Sequence, residues 1–214
     1  VAELGRGLDR VVVAQILSAE RHPEADRLQI CQVDTGSGTV QIVCGAPNAR
    51  VGLKAPLAQI GAALANGMAI SAAKLRGVDS QGMLCSAKEL GLDQDASGLL
   101  ELPTDAVVGT PLAQFLALPD ASIELGLTPN RADCLGLRGI AYDVAASFGR
   151  VVSEPAQAAV APAHDQVRGV RLDAPASCPR YVGRVITGID ARAATPTWMA
   201  ERLRRGGIRP ISIA

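Results

Sequence analysis

From Val11 to Gln114 the chain contains no Phe, Tyr or Trp, and only five aromatic residues occur in all 214. A core in this stretch must therefore be filled by Val, Ile, Leu, Ala and Cys, which come in short runs broken by glycine and proline. Val11 to Leu17 is such a run, and Leu28 to Val33 alternates as a half-buried strand does. His22-Pro23-Glu24-Ala25-Asp26 reads as the turn between them. Asp34-Thr35-Gly36-Ser37-Gly38 punctuates a hairpin whose return strand is Thr39 to Cys44. Further short strands are expected at 53–57, 68–70, 82–84 and 99–102. Ser86 with Glu89 three residues on is a capping box, placing a short helix over 87–90. Many short strands with one small helix favour a closed or nearly closed barrel over a parallel sheet.

Length allows one large or two small domains. The 21 basic and 21 acidic residues cancel, so bulk charge announces no polyanion partner. Their distribution says more. Residues 11–118 carry seven Lys/Arg against ten Asp/Glu, and 121–214 carry twelve Arg against eight acids. The five cysteines are scattered without a C-x-x-C pair, which fits reduced, mostly buried thiols. With two histidines, no four-ligand zinc site is apparent. No apolar run approaches the roughly 20 residues a membrane span needs. Termini at Val1 and Ala214 read as those of a fragment.

Beyond Pro119 the pattern changes. Asp133 is placed to cap a helix whose Leu137, Ile140, Ala141, Val144 and Phe148 follow the 3.6-residue period, with Gly149 to end it. A Pro- and Ala-rich linker follows over 151–166. Strands are expected at 168–172 and 180–187, then a helix entered at Thr195-Pro196 and ended at Gly206-Gly207.

Several blocks carry a family resemblance. His22-Pro23-Glu24-Ala25-Asp26-Arg27-Leu28, Ile42 to Arg50 and Ala73 to Ser86 resemble the tRNA-binding barrel of bacterial phenylalanine–tRNA ligase β chains. Leu127-Thr128-Pro129-Asn130-Arg131-Ala132-Asp133-Cys134-Leu135, Leu137 to Ala141 and Cys178 to Ile186 resemble later blocks of the same family, in order. Arg202-Leu203 and Gly207-Ile208-Arg209 follow them. The resemblance implies a mainly β chain with α/β parts. A lead-in over 1–10 would precede a five-stranded Greek-key oligonucleotide-binding (OB-fold) barrel over 11–118. Part of a small helical domain would occupy 119–150, and the truncated beginning of a B3/B4-type editing domain 167–214. It also implies a cytoplasmic α₂β₂ tetramer with the α subunit, acting on tRNA(Phe) with ATP and magnesium, and no membrane. The aminoacylation pocket would lie on the α chain and the hydrolytic pocket beyond this stretch. No catalytic residue, metal ligand or cofactor is then expected here.

Without aromatic rings to stack bases, RNA contact in the barrel must use shape, backbone amides and cations. The candidates are Asn48, Arg50, Lys54, Lys74, Arg76 and Lys88, with Arg21 and Arg27 as further cations. From residue type alone, solvated charges on turns are the plainer account, and the resemblance brings the two readings level. His22 and Asp26 invite a metal or acid–base account, but a turn-stabilising histidine is simpler. Asn130, Arg131 and Asp133 are read as structural, Arg131 bracing the helix start beside Asp133. Arg202, Arg204, Arg205 and Arg209 read as a solvated helix face ahead of an RNA contact. Gly45-Ala46-Pro47-Asn48 lacks the lysine and serine of a phosphate loop. A barrel that is chiefly a structural or protein-interaction module is the rival reading. A self-contained hydrolase would need a complete pocket.

Overall fold

The aliphatic runs become strands where both faces of the chain find apolar cover. In the computed structural model, which describes residues 1–212, the chain is mainly β with few helices. Ile213 and Ala214, the last positions of the 167–214 segment, lie outside the described residues. The strands are β1 (Ala2–Leu4), β2 (Val11–His22), β3 (Ala25–Asp34), β4 (Thr39–Cys44), β5 (Lys54–Ala58), β6 (Ala73–Leu75), β7 (Val78–Ser80), β8 (Met83–Leu84) and β9 (Asp120–Ser122). The helices are α1 (Leu112–Phe115), α2 (Leu137–Ser147) and α3 (Thr197–Arg205), with a 3₁₀ turn at Ala132–Leu135. Two units result: 1–124 with the segment from 193 onward, and 125–192.

The first unit is built on a five-stranded antiparallel sheet in the order β4-β3-β2-β5-β8. Its centre is β2, which buries both faces. Val11 and Val13 point into one aliphatic cluster with Ala58, Leu64, Ile70, Leu90, Leu112 and Leu116. Ala14 and Ile16, one step out of phase, point into a second with Cys31, Val33, Ile42, Leu57, Leu84 and Leu99. Strand alternation alone gives this division. A register shift between Ile16 and Ser18 leaves Leu17 unpaired and half exposed, a bulge of the kind that increases strand coiling.

The sheet is not hydrogen-bonded into a continuous cylinder. Its edge strands β4 and β8 share no ladder. The segment before β8 nevertheless reaches β4: Gln81 N–H donates to the Gln41 carbonyl at 2.9 Å, and Val43 N–H to Ser80 Oγ at 3.1 Å. The β3–β4 turn packs backbone to backbone on the 107–110 segment. A Cβ on Gly36, where φ is +81°, would stand 2.6 Å from Gly109 Cα, so no side chain fits there.

Several expectations need correction. The Ser86–Glu89 box forms, with the Glu89 carboxylate accepting from Ser86 N–H at 2.7 Å, but 87–90 is a single turn because Gly91 leaves at φ +69°. Asp133 does not cap α2: the helix starts one residue after Gly136, and the Asp133 carboxylate faces Arg131 instead. Thr195 makes no cap bond to α3, which begins after Pro196. Residues 168–172 and 180–187 form no strands, since a strand exists only with a partner and none pairs with them among the described residues. In the second unit α2 forms as its periodicity requires, with Gly149 in the left-handed conformation just past its C-cap Phe148, yet none of its residues is buried.

The arginines of α3 are not simply solvated. Arg205 donates to Asp120 Oδ2 at 2.9 Å and to the Leu116 carbonyl at 2.6 Å, and Arg204 pairs with Asp93 at 3.0 Å. Arg202 lies over the half-exposed Trp198 ring, 5.5 Å from its centroid.

Truncating the buried cluster should be costly. Ile16→Ala and Leu57→Ala, at positions 0% and 1% exposed, are each expected to lower stability by about 2–5 kcal/mol. Val151→Ala, 95% exposed, should leave it unchanged. Urea midpoints at constant m-value check this.

Candidate nucleic-acid interface

The six candidates from the sequence divide cleanly by what their polar atoms already hold. Arg50 spends its guanidinium on Glu101, with Nη1 to Oε1 at 2.8 Å and Nη2 to Oε2 at 2.7 Å, and Nη1 also donates to the Asn48 carbonyl. Asn48 clasps Leu99 through both ends of its amide. Its Nδ2 donates to the Leu99 carbonyl at 3.0 Å and its Oδ1 accepts from Leu99 N–H at 2.8 Å. Lys54 Nζ donates to the carbonyls of Thr104 and Ala106, each at 2.6 Å. These three residues fasten the 99–106 segment to the sheet, while the Arg50–Glu101 pair itself stays exposed.

Lys74, Arg76 and Lys88 are exposed and have no side-chain partner among the described residues, and the same holds for Arg21 and Arg27. Lys74 and Arg76 ride on the β6–β7 hairpin, which pairs Leu75 with Val78 across a two-residue turn. Arg76 (φ +47°) and Gly77 (φ +83°) both take the left-handed conformation that a tight primed turn requires. The turn thus holds an unpaired guanidinium at its tip.

The inner side of this hairpin, through Ala73 and Leu75, walls an open groove of about 680 Å³. Its floor and sides include Val43, Leu84, Leu99 and Met68, and Lys88 stands at its edge. The groove offers an apolar surface beside free cations and no aromatic plane. No group of His, Cys, Asp and Glu among the described residues is arranged to hold a metal. Burial pushes the Cys85 thiol up to about 12 and the Cys31 thiol up to about 11, so neither is a nucleophile near neutrality.

A family model described as a putative tRNA binding domain matches residues 11–111, and one described as a B3/4 domain matches 177–214. The phenylalanine–tRNA ligase beta subunit of Xanthomonas campestris pv. campestris (strain 8004) is 63% identical over all 214 residues, which is 27% of that relative. That of Xylella fastidiosa (strain 9a5c) is 58% identical over the same length. That of Pseudomonas putida is 55% identical over 204 residues, 95% of this chain and 26% of the relative. The chain belongs to the phenylalanine–tRNA ligase beta-subunit family. It spans about a quarter of the length of these relatives.

The remaining candidates differ in what they hold. His22 is buried, and its Nδ1 accepts from Glu24 N–H at 3.1 Å within the β2–β3 turn. Asp26 is exposed and makes no contact with it among the described residues. In the second unit Arg131 bridges two carboxylates, Asp133 at 3.1 Å and Asp143 at 2.7 Å, which joins the 3₁₀ turn to α2. Asn130 accepts from Thr128 Oγ at 2.6 Å. Sequence reasoning missed Glu101, which no local pattern marks because its partner is 51 residues away.

Hydrogen bonding from Arg50 holds the Glu101 carboxyl down to about 2 from an ordinary 4.5, with Asn48 adding to it. A carboxyl lowered on folding stabilises the fold fully above its unfolded value and loses that contribution as pH falls through the folded one. Stability should therefore decline between about pH 4.5 and 2 partly through this pair. Glu101→Gln is expected to flatten that part of the profile, as read from denaturant midpoints at pH 7, 4 and 3.

Proposed function

We propose that this chain is the tRNA-contacting region of a phenylalanine–tRNA ligase beta subunit. It positions tRNA(Phe) through backbone and cation contacts that carry little base specificity. The observation that carries this reading is the exposed, unpartnered set Lys74, Arg76 and Lys88: the first two on the hairpin that walls an open groove, the third in its lining, all within the residues that match the tRNA binding model. Its five strands would curl as an oligonucleotide-binding barrel. The bonds from Gln81 and Val43 between β4 and the approach to β8 support that curvature. The domain limits 11–118, 119–150 and 167–214 extend from the same reading.

The whole protein would be an aminoacyl-tRNA synthetase of the cytoplasm, joined with an α subunit in an α₂β₂ tetramer and using ATP and magnesium. This stretch contributes no catalytic group to it. Among the described residues no helix is long and apolar enough to cross a membrane.

A second reading, a structural or protein-interaction module with little RNA contact, draws on two observations. Asn48, Arg50 and Lys54 are engaged internally, and acids outnumber bases over 11–118.

Salt dependence separates the two. For tRNA(Phe) binding, each neutralised phosphate contributes roughly 0.7–0.9 to the slope of log K against log salt. Lys74→Ala/Arg76→Ala/Lys88→Ala should lower the slope by up to about two to three units on that scale, whereas Arg50→Ala should cost stability and leave the slope alone. An unchanged slope in the triple variant, or no binding by the parent chain, favours the structural module.

A further inference from the structure

We propose that His22 is a positioning residue that fixes the cationic β6–β7 hairpin against the groove from a distance in sequence. The proposal deepens the tRNA-contacting reading and rests on it for its functional arm.

The hairpin is held unequally. Its second strand is fastened to β4 several times over: Gln41 Nε2 donates to the Asp79 carbonyl at 2.8 Å, Val43 N–H to Ser80 Oγ at 3.1 Å, and Gln81 N–H to the Gln41 carbonyl. Gln41 is itself fixed by Gln32, whose Nε2 donates to its Oε1 at 3.2 Å. The first strand, which forms the groove wall and carries Lys74, has one hydrogen bond from outside the hairpin among the described residues. It joins His22 Nε2 and the Leu75 carbonyl at 3.2 Å, spanning 53 positions.

The chemistry of the imidazole fixes the sense of that bond. Nδ1 accepts from Glu24 N–H, so in the neutral ring the proton sits on Nε2, which donates to Leu75. The ring is 4% exposed and lies at the end of β2, where the register shifts between Arg21 and His22. One rigid side chain therefore links the β2–β3 turn to the residue next to Arg76. The hairpin is three residues a side, and such a ribbon has little stability of its own. Loss of the tether would let the 71–76 wall swing about its β4 attachment and carry both free cations with it.

The test uses the full chain with a tRNA(Phe) transcript as probe. In His22→Ala, amide exchange at residues 73–79 should speed up about threefold to tenfold, the scale of one net hydrogen bond, with the amides of Ile16, Val33 and Leu57 unchanged. Affinity for the transcript should fall by a similar factor, and His22→Ala should add nothing once Lys74→Ala/Arg76→Ala is present. His22→Gln, whose terminal amide can donate as Nε2 does, should restore protection. His22→Asn, whose shorter side chain can accept from Glu24 but does not extend to the Leu75 carbonyl, should not. Should His22→Ala disturb the core amides, the Gln–Asn comparison decides. Equal hairpin exchange in those two variants, or a binding deficit that persists in the Lys74/Arg76 background, overturns the proposal. If the parent chain fails to bind tRNA, the functional reading fails while the exchange arm still judges the tether.

Discussion

Burial of β2 on both faces is the constraint from which the rest of the first unit follows. A strand that must satisfy two aliphatic clusters cannot slip by one residue, because every side chain would then enter the wrong cluster. Ile16 and Val13, three apart, lie on opposite sides of that divide. The neighbours β3 and β5 inherit its register, and α1 closes one cluster through Leu112 and Leu116. With no aromatic ring among the buried residues of either cluster and only the partly buried Phe115 packed against one, packing relies on many small and branched side chains in contact. That arrangement is sensitive to single truncations.

Cations in this unit are sorted by their distance from carbonyls and carboxylates of the same chain. Lys54 and Arg50 lie beside the 99–106 segment and pair with it, while the β6–β7 hairpin holds Arg76 exposed and without a side-chain partner among the described residues. A net acidic sheet can therefore still present local positive potential, because what a phosphate meets is the unpaired charge within a Debye length rather than the total. The groove is walled by Ala73 and Leu75 of the same hairpin whose turn carries Arg76.

The legible part of the sequence was the part governed by short-range rules. The runs 11–17, 28–33 and 39–44 became β2, β3 and β4 because alternation and the Gly36–Gly38 turn specify them locally. The β6–β7 hairpin was obscure: its strands are three residues each, and arginine is not a residue that advertises a left-handed turn position. Asn48–Leu99, Arg50–Glu101 and His22–Leu75 join residues about 50 apart, and no periodicity encodes such pairs. At 168–172 and 180–187 branched residues suggested strands, but strand propensity without a pairing edge does not produce one.

Trp198 has a practical bearing on how this molecule can be watched. It is the one indole in the chain, and it sits on α3 beneath Arg202, outside both aliphatic clusters. Its emission will report the detachment of that terminal helix while remaining nearly blind to events in the β2 region. Intrinsic fluorescence and far-ultraviolet dichroism therefore observe different transitions here, and their coincidence would itself measure how cooperatively the helix and the sheet come apart.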